Sequence, residues 1–151
     1  MNWLLLPLGL QAAVMAVDEF YFHRRRGLGT WERRGHPIDT IVFAACAALA
    51  LASIGHVDQF LVPFIVLAAV SCVVVTKDEF VHKDACGATE TWLHSLLFIL
   101  HPICLYSIWS FAVAGDRTMS TLIFTGIVVF FFYQLIYWNF IYDSEPTRAR
   151  E

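Results

Sequence analysis

Apolar residues in this chain fall into five long runs separated by short polar stretches: Trp3 to about Phe22, Ile38 to about Ile54, Phe60 to Thr76, Trp92 to Ala114, and Met119 to about Tyr142. A bilayer core about 30 Å thick needs roughly 20 predominantly apolar residues as helix. The pattern therefore predicts an all-α polytopic membrane bundle of about five transmembrane helices, forming one transmembrane domain over residues 1–151. The first three runs are short, and polar residues continuing the helix at one end supply the missing length. Only Gly55-His56-Val57-Asp58-Gln59 separates the second run from the third, and only Gly115-Asp116-Arg117-Thr118 the fourth from the fifth, so both connections read as tight hairpins.

Composition agrees with a lipid environment. Soluble domains are roughly 45–50% apolar and about 25% charged, whereas this chain is 58% hydrophobic and 15% charged. No basic stripe is present, which leaves no nucleic-acid partner to expect. Cys46, Cys72, Cys86 and Cys104 form neither a CxxC clip nor a disulfide framework. Three of them sit in apolar runs, where a thiol behaves as a small hydrophobe, and Cys86 reads as a free thiol in a cytoplasmic loop. The N-terminal run lacks a basic leader and a small-residue cleavage site, so it reads as a retained helix.

Basic residues in short loops resist translocation and so set orientation. Arg24, Arg25, Arg26, Arg33 and Arg34 follow the first run, Lys77 and Lys83 lie between the third and fourth, and Arg148 and Arg150 occupy the tail, against Arg117 on the other side. The N-terminus is therefore expected outside and the C-terminus in the cytoplasm of a plasma or inner membrane. Trp3, Trp31, Tyr137, Trp138 and Tyr142 are expected as interfacial aromatics.

The polar stretches repeat. Asp18-Glu19-Phe20-Tyr21-Phe22-His23 is followed after eight residues by Glu32-Arg33-Arg34-Gly35-His36, and Asp78-Glu79-Phe80-Val81-His82 after seven by Glu90-Thr91-Trp92-Leu93-His94. Each unit reads helix, acidic pair, histidine, loop, Glu-x-x-x-His, helix. The units cover about residues 3–54 and 60–114, with an extra helix at about 118–142 and a tail at 143–151. Both run in the same direction, so a parallel two-helix repeat about an axis along the membrane normal would bring the two clusters together.

Residues three and four apart share a helix face. Glu19 with His23, Glu79 or Asp78 with His82, and Glu90 with His94 are thus each spaced to chelate. With Glu32 and His36 they make eight candidate metal ligands, to which Asp18, Asp39 and Asp78 are alternates. Imidazole with carboxylate suits iron, zinc or manganese rather than magnesium or calcium. Eight donors exceed the shell of one ion, so two transition-metal ions at the cytoplasmic face are expected. Gly35 and Pro37 are expected to hold Glu32 and His36 on an interfacial turn capped by Thr30, with Pro37 opening the second helix. A repeat preserving only salt bridges, such as Glu32 with Arg25 or Glu79 with Lys83, leaves the recurrence of histidine unexplained. Gln134 and Asn139 are expected to bond across helices, and His56 to be a solvated loop residue.

This arrangement resembles the di-metal carboxylate bundles, in which helices supply a Glu and a Glu-x-x-His element twice around a shared core. Glu79-Phe80-Val81-His82 has that spacing and the other pairs are one residue longer. It also resembles the histidine clusters of membrane desaturases and hydroxylases, without their HxxH boxes. The resemblance implies a membrane-embedded non-haem di-metal protein, and a di-iron oxidoreductase acting on a lipid, quinone or other bilayer-soluble substrate is the first reading. Tyr21 is its candidate redox or proton partner, and His101 a candidate substrate-channel residue or a hydrogen-bonded kink before Pro102. A zinc-dependent membrane hydrolase is the second. Metal transport, sensing or a structural metal clip is the third. The charge bias makes a direct prediction: a reporter fused after Glu151 will read cytoplasmic and one at the N-terminus extracytoplasmic, and finding both ends on one side would remove the five-helix topology.

Overall fold

A backbone enclosed by apolar side chains must satisfy its own hydrogen bonds, and the five apolar runs do so as helices. A computed structural model of the chain describes residues 2–77, 79, 80, 82 and 86–142. After a 3₁₀ turn at Asn2–Leu4 come α1 (Leu5–Arg26), α2 (Thr30–Ala52), α3 (Val57–Val74), α4 (Ala88–Val113) and α5 (Arg117–Ile141). All five are long and apolar enough to cross a membrane, and no strand occurs among the described residues. Both hairpins form as expected. Gly55 and Gly115 adopt positive φ in them, and the Asp116 carboxylate caps α5 by accepting from Met119 N–H at 3.0 Å.

α2 lies at the centre, packed on α5, α3 and α4, while α1 packs on α4. The apolar core joins Cys46, Ala47 and Ala50 of α2 to Phe64 of α3 and to Leu105, Ile108 and Ala112 of α4. Small side chains let helices approach closely where hydrocarbon surrounds them and apolar burial alone brings little gain. The outward faces carry Leu6, Val62, Val73, Ile99 and Val129, all exposed, whereas Asp18, Glu19, His23, Glu32, His82, Glu90 and His94 are buried. This inverts the distribution of a water-soluble bundle.

Three local expectations are corrected. Glu32 and His36 lie on α2 itself, not on a separate turn, because Gly29 rather than Thr30 is the N-cap and the helix continues through Pro37. Pro37 lacks the N–H that would bond Arg33 carbonyl, and Asn139 Nδ2 of α5 approaches that oxygen at 3.5 Å. Trp138 is not an interfacial aromatic: it is fully buried. Gln134 does bond across helices, accepting from Thr40 Oγ1 at 2.6 Å. Lys83, Arg148 and Arg150 lie outside the described residues, and with them the Glu79–Lys83 pairing.

Candidate metal centre

The end of α1 departs from α geometry where the acidic pair begins. In an α-helix a residue five positions on is rotated by about 140° from the first. Asp18–His23 instead forms a π-helix, whose i→i+5 bonding widens the turn and brings His23 back over Asp18. His23 Nε2 then lies 3.2 Å from Asp18 Oδ2, and Nδ1 lies 3.3 Å from Glu19 Oε2. Both acids address one imidazole through its two nitrogens. The other Glu19 oxygen accepts from Trp138 Nε1, carried by a second π segment at Tyr137–Ile141.

α2 and α4 begin alike, with glycine N-caps at Gly29 and Gly87 and a glutamate in the third helical position. A glycine offers no side-chain cap. Glu32 compensates by accepting from Gly29 N–H at 2.9 Å, and a carboxylate in the first turn also suits the helix dipole. Gly27, at φ +77, closes α1 so that Arg26 faces both glutamates. Its guanidinium forks onto Glu32 at 2.7 and 3.0 Å and reaches Glu90 Oε1 at 3.1 Å. One turn further on, His94 Nε2 sits 3.3 Å from both Asp18 oxygens. His82 Nε2 is 3.2 Å from Glu32 Oε1. The imidazoles form an arc, with ring centroids 4.9 Å apart for His23–His36, 6.2 Å for His36–His82 and 4.2 Å for His82–His94.

Two groupings emerge that can bind metal. Asp18, His23, Glu90 and His94 form one, Glu32, His36 and His82 the other, and within each the donor atoms lie within 4.8 Å of one another. Donors at about 2.0–2.2 Å from one tetrahedral ion lie about 3.3–3.6 Å apart, so binding would draw the donors of either grouping closer together, the first supplying four ligands and the second three. A third set, His82, Cys86 and His94, overlaps both. Burial pushes the Cys86 thiol up to about 12, against the pull of the Arg26 guanidinium, so without metal it is a neutral thiol at physiological pH.

Polar satisfaction in this region is incomplete. Among the described residues, His23 Nε2, His94 Nδ1 and both His82 nitrogens are buried without a hydrogen-bond partner. His23 Nε2 faces Asp18 and, at 3.9 Å, Glu90; in the neutral tautomer with Nδ1–H on Glu19 it presents a lone pair to them, and in the imidazolium it donates to them. A lone pair facing carboxylates is repulsive unless a proton or a cation lies between them. Among the described residues, Arg26 is the Lys or Arg side chain that contacts these carboxylates. Arg24 and Arg25 bond Tyr137 and Tyr21, and Lys77 bonds Asp39 at 2.6 Å.

Other candidates lie apart from the two groupings. Glu19 flanks His23 without joining either, while Asp18, an alternate in the sequence analysis, is central to the first. Half-buried Glu79 joins neither, and Asp78 lies outside the described residues. Asp39 is engaged by Lys77. Tyr21 is exposed, its hydroxyl on Arg25. His56 is exposed, as expected. His101, two turns deeper than His94 on α4, bonds Ser71 Oγ through Nε2 at 2.8 Å. It lines a cavity of about 490 Å³ that extends from Asp18, His23 and His94 along α1 and α5 to Leu8 and Leu122. Sequence reasoning missed the roles of Arg26, one of three successive arginines, and Trp138, one of many aromatics. No protein family, curated protein or solved structure matches the chain.

Arg26 provides a test of this charge arrangement. Removing one partner of a buried ion pair costs about 3–5 kcal/mol, less here because the Arg26 side chain is 21% exposed. Arg26→Gln should lower the melting temperature of the metal-free protein well below that of exposed Arg24→Gln, and Glu32→Gln added to Arg26→Gln should recover part of the loss. Equal melting of the two single variants would contradict the assignment.

Proposed function

We propose that this is an integral membrane metalloprotein, N-terminus outside, holding two transition-metal ions near its cytoplasmic face and acting as a di-metal oxidoreductase on a bilayer-soluble substrate. The observation that carries the reading is the gathering of four buried carboxylates with four imidazoles, with Arg26 as the guanidinium in contact among the described residues. Protonated rings would meet the same charge through their contacts with Asp18 and Glu32, at the cost of repulsion between adjacent imidazolium ions. Four carboxylates and one guanidinium leave three negative charges, which two divalent cations would offset with one positive charge over, while meeting the imidazole nitrogens that lack hydrogen-bond partners. The mixed nitrogen and oxygen donors favour iron, with zinc or manganese as alternatives.

The repeat supports two sites rather than one. Exchanging the two units carries α1 to α3 and α2 to α4, so it turns the α1–α4 contact into the α3–α2 contact, and both contacts are present. The same exchange carries Asp18, His23, Glu90 and His94 to Asp78, His82, Glu32 and His36. The last three are the members of the second grouping. Each site would then be built from both units, which explains why the acid–histidine pairs recur in matched order.

When bound, two iron ions supply redox equivalents for oxygen chemistry on a hydrocarbon. The chain's own residues fix the ligands and admit the substrate. Glu19, held by Trp138, orients the His23 ring and selects the tautomer whose Nε2 faces the site, the role carboxylates play behind metal-bound histidines. The apolar cavity reaching this centre favours catalysis over a closed structural site. A structural clip is the second reading, favoured by Arg26 binding both Glu32 and Glu90; it predicts that metal removal lowers stability and alters nothing else.

Paired substitutions test the proposal. Glu32→Ala and Glu90→Ala should do comparable damage, as should His36→Ala and His94→Ala, each lowering metal affinity by at least the 10–100-fold typical of changes behind the ligands. His56→Ala should leave metal content untouched. Full metal content in both Glu90→Ala and His94→Ala would eliminate these two residues as ligands and the two-metal reading with them.

A further inference from the structure

The cavity wall carries polar groups whose bonding differs. Thr40 and Gln134 bond each other at 2.6 Å, His101 and Ser71 at 2.8 Å, and Asp39 is held by Lys77 at 2.6 Å. Gln11 has no such arrangement. It lines the cavity from α1, is 6% exposed, and its side-chain carbonyl has no hydrogen-bond partner among the described residues. An unpaired amide group in an apolar wall costs about 1–3 kcal/mol, a cost that a bound polar group would remove. Gln11 precedes Asp18 by seven residues, or about 10 Å along the helix axis.

The cavity also has a side opening. Leu5–Val17 of α1 and Arg117–Ile136 of α5 flank it with little packing on each other. Between them the lip is formed by Ala12 and Ala16 on one side and Leu122 and Gly126 on the other, of which Ala12, Leu122 and Gly126 are exposed. A Cβ added at Gly126 would meet nothing within 4 Å. At the metal-centre end the seam is closed by Phe20 against Tyr133, ring centroids 5.5 Å apart, and by the bond from Trp138 to Glu19. From Leu8 to His23 the cavity follows α1 for about 22 Å. It is long, apolar and open toward the region the helix faces assign to lipid.

We propose that the cavity takes a single-chain amphiphile from the bilayer, entering between α1 and α5, with a hydroxyl on the chain donating to Gln11 about 10 Å from the segment presented to the carboxylate–histidine groupings. This deepens the oxidoreductase reading by naming its substrate class, and the binding step itself requires no metal.

The test uses full-length protein in lipid nanodiscs with a diazirine-bearing sixteen-carbon alcohol as photoprobe, with and without prior metal removal. Crosslinks should concentrate on Met15, Phe43 and Ile127 and be competed by unlabelled hexadecanol. Gly126→Trp should reduce this labelling at least tenfold, whereas Val62→Trp, on a lipid-facing surface, should not change it. Gln11→Leu should weaken competition by hexadecanol but not by hexadecane. Labelling spread evenly over outward residues, or unchanged by Gly126→Trp, would overturn the proposal. Retained cavity labelling in protein that binds no metal would instead remove the metal reading and leave the lipid site standing.

Discussion

Asp18, Glu19, Glu32 and Glu90 are buried together at one end of a bundle whose remaining interior is largely apolar, and the structure depends on how their charge is met. Desolvating an ion costs several kcal/mol even after local relaxation, and four carboxylates within one cluster add mutual repulsion. Arg26 answers part of this by binding Glu32 and Glu90. Backbone N–H at Gly29 and indole N–H at Trp138 answer another part. The remainder falls on imidazole nitrogens that face the carboxylates, where a proton or a cation must lie between each pair, and this is the electrostatic case for cations at the centre.

Local geometry follows from gathering these groups. The π turn at Asp18–His23 lets two consecutive acids reach one histidine, and the second π segment turns Trp138 inward against Glu19. Glycine N-caps leave the first turns of α2 and α4 open to their own glutamates. Small residues in the core, Ala47, Ala50 and Ala112, pack the far ends of α2 and α4 together, while at their starts both helices share Arg26. The same arrangement keeps α1 on α4 and leaves a long cavity beside α5, so the cavity and the placement of the acid–histidine cluster are two results of one packing pattern.

Much of this was legible in the residues. Apolar runs located five helices to within a few positions at most ends, and the recurrence of acid and histidine located the polar cluster before any coordinates. The differences have physical causes. Helical spacing of four pairs Glu19 with His23, as found at 3.3 Å, and the π turn adds Asp18 to the same ring at 3.2 Å, which α spacing does not anticipate. Pro37 read as a helix start because its missing N–H is harmless there, yet α2 extends two turns before it. Arg26 could not be distinguished from Arg24 and Arg25, since nothing local to three successive arginines says which one turns inward. Trp138 is chemically identical to an interfacial tryptophan, and only its contact with α1 separates the two.

The most direct measurement is the metal content of the detergent-purified full-length chain, by elemental analysis, against protein concentration from amino-acid analysis. The account predicts close to two transition-metal ions per chain, with thermal stability that falls on chelation and returns on adding metal back, since a ligand that binds only the folded state stabilises it. Protein that carries no metal, and whose melting temperature does not respond to added iron, zinc or manganese, would contradict it and leave the buried carboxylates to Arg26 and protonated histidines alone.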